Sequence, residues 1–300
     1  YTPVVLGLMV SQVGIVIDRN LASRTGAQSI AWMRYATTLV QFPLGLVSVA
    51  VSLAILPTLS RLAPSRPKTR LGRDPSLDQF MDTLATGLKM VLVLILPAVA
   101  GLFALSEPVV TLVFQHGDFT AFDTEQTAMA LRIDLLGTTF AAIDLPLIYS
   151  FYARKDTLTP ALVGVLAVGL YLTAALLPAI FRGLRMTDLV LANSIQLTGH
   201  ALVMLWLTHR VGSLSGRGLG RTALKALLAA LVMGVGVAAS AQWLVARFPE
   251  ETLLHEMVVV VGAGLVGLGV YGVLVNLLRI EEVGMVVVLL RRRLGIHKRG

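Results

Sequence analysis

Long apolar stretches follow one another along the whole chain, separated by short polar ones, and inside each stretch neither a helical stripe nor a strand-like alternation dominates. A segment apolar on every side has no face to turn to water and is stable in lipid, provided its backbone groups are bonded internally. Only helices and closed barrels meet that condition. The runs are continuous and rich in Leu, Val and Ala, without the two-residue period of a barrel strand, so the pattern predicts helices. With about 20 apolar residues per crossing as the ruler, it predicts eight spans, at 2–19, 29–58, 82–105, 124–152, 157–180, 187–209, 221–246 and 254–279. Pro57 is expected to stop the second helix and Pro160 to open the fifth, while Ser106-Glu107-Pro108 begins a loop that runs to 123.

Composition sharpens this into an all-α polytopic membrane protein. Of the 300 residues 56% are hydrophobic and 14% charged, with a mean hydropathy of +0.79, against about 25% charged in soluble domains. The net charge of +8 does not signal nucleic acid, because the basic residues gather in short segments between spans. There is no cysteine, so neither a disulfide framework nor a thiolate site is available. The five histidines lack metal-ligand spacing, so no metal, cofactor or catalytic constellation is expected. The chain opens with Tyr1-Thr2-Pro3, which reads as part of something longer.

Lys and Arg in alternate loops set the orientation, since positive segments stay in the cytoplasm. Sixteen fall on one side, in 59–81, 153–156, 210–221 and the tail from 279, against five on the other. Both termini are therefore expected in the cytoplasm. Residues 60–81, with three prolines and many charges, read as a cytoplasmic linker. Residues 281–300 read as a basic tail, either a helix lying on the inner leaflet or a disordered segment.

Ionisable groups inside spans cost about 2.5–3.5 kcal/mol each at the helix centre, so those present are candidates for function. They are Asp18, Arg34, Lys89, Arg132, Asp134 and Asp144. Lys89 and the arginines have side chains long enough to reach an interface. Asp144 does not, and must face a cavity or a partner. Arg132 and Asp134 are two residues apart and so must pair with other helices. Asn193, Gln196 and His200 form one polar stripe, either bonding to a neighbouring helix or lining a wet path.

Particular strings add a family to this picture. Ser11-Gln12 through Asp18, Trp32-Met33-Arg34-Tyr35-Ala36, Gln41-Phe42-Pro43-Leu44-Gly45 and Leu56-Pro57-Thr58-Leu59-Ser60 resemble the seventh and eighth helices of the MurJ/MviN flippases. Leu112 to Phe119, with Gly117 and Phe119 at the motif positions and Asp123-Thr124 after them, is similar to that family's loop between helices nine and ten. Phe151-Tyr152-Ala153-Arg154-Lys155-Asp156-Thr157 with Thr159-Pro160 resembles its junction of helices ten and eleven.

The resemblance implies a multidrug/oligosaccharidyl-lipid/polysaccharide exporter fold. Residues 1–210 would be its second six-helix lobe, and 211–280 would carry two additional helices whose groove holds a polyprenyl tail. It implies flipping of lipid II, a polyprenyl-linked peptidoglycan precursor, across the bacterial inner membrane by alternating access, with membrane lipids and cell-wall synthesis proteins as candidate partners. The cavity candidates are Arg34, Thr38, Asp18, Gln41, Asp144 and Arg132. The family's functional arginine on helix eight falls at Thr38, with Arg34 one turn earlier on the same face. Some relatives hold sodium with an Asp on helix seven and Asn or Asp on helix eleven; Asp18 matches the first, but 158–180 contains neither Asn nor Asp, so sodium coupling is not expected and the coupling ion stays open. A flippase for another polyprenyl-linked saccharide, a related exporter, and a noncatalytic membrane scaffold remain alternatives.

Overall fold

A computed structural model describes residues 2–62, 75–247, 252–280, 282 and 284. Its described residues form ten helices and no strand: α1 (Thr2–Ser23), α2 (Ser29–Ala54), α3 (Leu56–Leu62), α4 (Pro75–Ala104), α5 (Ser106–Phe114), α6 (Ala121–Ala153), α7 (Leu158–Arg182), α8 (Met186–Val211), α9 (Leu219–Arg247) and α10 (Leu253–Leu277). Five of them, α4, α7, α8, α9 and α10, are long and apolar enough to cross a membrane, and α2 with α3 makes a sixth if the bent pair is one span. At 1.5 Å per residue the 22 residues of α1 and 33 of α6 also reach the roughly 30 Å of a hydrocarbon core.

Three expectations need correction. The second helix does not run unbroken to 58: it breaks at Ile55 and resumes as α3, turned by 44°. Pro57 lies in the first turn of α3, where its missing N–H costs nothing, so it starts a helix instead of stopping one. The 106–123 segment is not all loop either, because Ser106-Glu107-Pro108 opens α5. The fourth helix of the bundle, α4, also begins earlier than expected, at Pro75, so only 63–74 of the linker stays outside the described residues. Most of the basic tail lies outside them too.

Helix α6 is the hub, packed against α8, α2 and α4. On one side the order runs α6, α8, α7, α1; on the other it runs α6, α4, α9, α10. One core gathers Phe80, Met81, Leu84 and Leu88 of α4, Leu59 of α3 and Leu147 of α6. Large apolar side chains elsewhere point outward, among them Ile180 at 75% exposure, Phe181 at 82% and Leu268 at 72%, as lipid-facing positions do.

The α6 and α8 backbones approach closely. A Cβ on Gly137 would lie 2.6 Å from the Ser194 Cα, and the Ser194 hydroxyl donates to the Ile133 carbonyl at 2.7 Å. Small residues let the two backbones approach in this way. Gly164 of α7, by contrast, faces open space. Gly137→Ala is expected to destabilise the protein by about 1–3 kcal/mol through overpacking against a backbone. Gly164→Ala should leave the thermal unfolding midpoint in detergent unchanged or slightly higher, and equal midpoints for the two variants would contradict the close approach.

Candidate functional site

Arg132, Asp134 and Asp144 of α6 each meet a partner from another helix. Arg132 lies 3.6 Å from Glu107 of α5, Asp134 accepts from the Asn193 amide of α8 at 2.8 Å, and Asp144 Oδ2 is 2.7 Å from His200 Nδ1 of α8. The α8 stripe thus zips onto α6, as interhelical bonding of a polar stripe requires. Gln196, between its two engaged neighbours, is half-buried. The other oxygen of Asp144 is buried and has no partner among the described residues.

Asp18 of α1 accepts a 2.5 Å hydrogen bond from the Tyr171 hydroxyl of α7. Sequence reading looked for Asn or Asp on that helix and passed over the phenol. A Tyr in an otherwise apolar run is itself a signal, since a buried hydroxyl needs a partner. Among the described residues, no group of three or more His, Cys, Asp or Glu could hold a metal ion.

Helix α2 buries Ala36, Val40 and Val47 and leaves Arg34, Thr38 and Gln41 exposed on one face. The Thr38 hydroxyl donates back to the Arg34 carbonyl at 2.8 Å. No ion pair engages Arg34 among the described residues, unlike the charges of α6.

The motif residues build junctions. Gly117 turns at φ +61°, a left-handed value that suits glycine, and brings Phe119 against Tyr35 and Phe114, with ring centres 5.4 and 6.2 Å away. Asp123 caps α6: it accepts from the Thr120 hydroxyl at 2.6 Å and backbone N–H at 2.8 Å, and from the Trp32 indole of α2 at 2.8 Å. At the other end of α6, Arg154 lies 6.0 Å over the Phe151 ring, Tyr152 is exposed, and Lys155 takes φ +62°. Asp156 then accepts from the Thr159 N–H at 3.0 Å and hydroxyl at 2.7 Å, which starts α7 with Pro160 buried in its first turn.

Two apolar cavities flank α4. The larger, about 890 Å³, lies between α4, α6 and α9 and has Arg132 in its wall; the other, about 340 Å³, lies where α4 meets α9 and α10 and includes Tyr271, whose hydroxyl donates to the Val93 carbonyl at 2.7 Å.

The sequence profile of the family described as "Lipid II flippase MurJ" matches residues 1–261. The chain belongs to the MurJ family. It is therefore a multi-pass membrane protein of a transporter family. It is 34% identical over 166 residues to a "Probable lipid II flippase MurJ" of Vibrio cholerae, covering 55% of this chain and 30% of that protein. It is 30% identical over 289 residues to one of Rhizobium tropici, covering 92% of this chain and 50% of that protein. The chain thus spans half or less of the length of these curated relatives. A solved structure titled "Lipid II flippase MurJ, inward closed conformation" shares the fold, with a TM-score of 0.73 at 24% identity over 92% of this chain and 53% of the other.

Asp123 precedes the apolar part of α6, and the bonds from the Thr120 hydroxyl, its N–H and Trp32 hold its carboxyl below the usual carboxylate range. A carboxyl whose folded value is depressed contributes stability that is present above the unfolded value, about 3.9, and is lost as pH falls through the folded one. Melts in detergent between about pH 5 and about pH 3 should show this loss, and Asp123→Asn should flatten that part of the profile. An unaltered slope in the variant would remove Asp123 from the cap.

Proposed function

We propose that this chain is the second lobe, with two additional helices, of a flippase in the bacterial inner membrane, and that the molecule moved is lipid II. Its relatives' names supply the substrate class. For this chain, the observation that carries the reading is the open polar face of α2, where Arg34, Thr38 and Gln41 stand about one turn apart and, among the described residues, are paired by no other helix. A polyprenyl pyrophosphate carries charge that must be held inside the membrane. Arginine suits that task because its planar fork stays protonated and binds phosphate oxygens in pairs. The face of α2 opposite the core is where a first lobe would close the cavity, so alternating access amounts to rocking of that lobe over Arg34. The apolar cavities beside α4, α9 and α10 offer a dry lining for the polyprenyl tail.

On this reading the ends rich in Lys and Arg face the cytoplasm. In the full-length protein, a thiol at His116→Cys is expected to react with a membrane-impermeant reagent from outside and one at Ile296→Cys only after permeabilisation; the reverse pattern would invert the topology.

The full-length protein should restore growth to a flippase-depleted bacterium. Arg34→Ala should lower lipid II translocation by about tenfold or more, the worth of a charge-assisted hydrogen bond, with normal insertion. Arg34→Lys should recover part of the loss, since the charge returns without the fork. Full transport by Arg34→Ala would remove the phosphate-holding role from α2.

A further inference from the structure

A cationic pocket lies away from the α2 face, beside the middle of α4 where α9 begins and α10 ends, on the side that the positive-residue bias assigns to the cytoplasm. Lys89 of α4, Arg221 and Lys225 of α9 and Arg279 after α10 line a cavity of about 180 Å³, with Glu282 the one carboxylate among the described lining residues. A water needs about 10–15 Å³ of such space, so there is room for a phosphate group that keeps part of its hydration. Four cations against one carboxylate leave the described lining at +3.

Two of the cations have partners. Lys89 lies 3.3 Å from Glu282, which also accepts from the Thr222 hydroxyl at 3.1 Å, and Lys225 donates to the Leu278 carbonyl at 2.6 Å, capping α10. The guanidinium groups of Arg221 and Arg279 are exposed and bond to no described residue.

The backbone gives a second, independent sign. Arg279 has φ +50° in a helix-ending turn in which Ile280 N donates to the Val275 carbonyl at 3.0 Å and Arg279 N to the Asn276 carbonyl at 3.2 Å. Glycine is the usual residue there, because a Cβ is disfavoured in the left-handed region. An arginine held in that conformation, facing other cations, is an outlier of the kind that accompanies a bound partner. Beside the pocket, α9 and α10 present Leu224, Leu228, Val273 and Leu277, exposed by 50–72%, which a soluble phosphate would not use but acyl chains would.

We infer that this pocket holds the phosphate of an anionic phospholipid of the cytoplasmic leaflet, with Arg221 and Arg279 as its ligands and the acyl chains lying on α9 and α10. That leaflet is the anionic one. The lipid is a resident of the bundle's edge and not the transported molecule. It joins α4, α9 and α10 where their own charges leave an excess.

The test uses the full-length protein in uncharged detergent, with its thermal unfolding midpoint followed on adding short-chain phosphatidylglycerol, phosphatidylcholine or glycerol 3-phosphate. Phosphatidylglycerol is expected to raise the wild-type midpoint by several degrees, and the other two to leave it in place. Arg221→Gln/Arg279→Gln should lose most of the shift. Arg279→Gly guards against a mere folding defect: glycine suits φ +50°, so its midpoint without lipid should equal or exceed the wild type, while its response to phosphatidylglycerol still falls. An undiminished shift in the double variant, or an equal one from phosphatidylcholine, overturns the site. An equal shift from glycerol 3-phosphate overturns the lipid in favour of a soluble phosphate. No polyprenyl lipid is present in any arm, so the transport reading stands or falls separately.

Discussion

The structure depends on one constraint: a polar side chain inside a lipid-embedded bundle must find its partner on another helix. Helix α6 carries Arg132, Asp134 and Asp144 through its middle, and no single neighbour could satisfy all three. Arg132 turns to α5, while Asp134 and Asp144 turn to Asn193 and His200 of α8. This places α6 at the centre and fixes α8 against it in one register, since Asn193 and His200 must meet their two partners together. The approach of Gly137 to Ser194 follows, because only a residue without a Cβ allows the backbones close enough for short side chains to reach. Truncating one member of such a buried pair leaves the other unsatisfied, and that asymmetry makes polar contacts in lipid decide geometry more than they add stability.

What lies outside this hub divides by chemistry. The α1–α7 edge is joined to it through α8 and held by the Tyr171–Asp18 bond, and the turn into α8 by Arg182, whose guanidinium is 2.6 Å from Asp188. The α9–α10 edge is joined through α4, and its contact with α10 is made mostly by apolar and small residues such as Val237, Val259 and Ala263. The first edge is specified by directional bonds deep in the bundle; the second is packed mostly by apolar and small residues, with directional bonds at Tyr271–Val93 and around Lys225 and Glu282. Two cavities lie in this second region, beside α4 and α9.

The spans were legible because an apolar run of the right length is nearly a sufficient description of a membrane helix. Their number and partners were less so. The break at Ile55 was hidden inside an apolar stretch that reads the same whether straight or bent; at the bend Ile55 and Leu59 belong to the same buried core as Phe80 and Leu84 of α4. Helix α5 was hidden because nine residues are too few for a crossing. The need of Arg132, Asp134 and Asp144 for partners on other helices could be argued from spacing, and so could the stripe on α8. Which groups would answer could not, because Glu107 and His200 are brought to them only by tertiary packing. For the motif residues, the sequence pointed to the right places but gave no role. Their positions now have physical causes: Gly117 for a left-handed turn, Phe119 for a ring cluster, and Asp156 for the start of α7.

Sorting the cations by partner separates those that hold the bundle together from those that do not. Arg132, Arg182 and Lys89 have carboxylates within 4 Å, and Arg217 bridges Asp82 at 2.6 Å and Asp78 at 3.3 Å, fixing the turn before α9 to the first turns of α4. That last bridge explains the level of Lys89. It lies fifteen residues into α4, yet beside Gly218 and the first turn of α9, so the charge that sequence placed within a span stands where the helix ends meet. Arg34 is different, because it lies in the second turn of α2 with Trp32, Ala36 and Val40 packed around the same helix, and no carboxylate approaches it among the described residues. An unpaired guanidinium at that depth is stable only if water or an anion reaches it. On the proposed reading that need is met by a wet space over the α2 face, walled off from lipid by a first lobe.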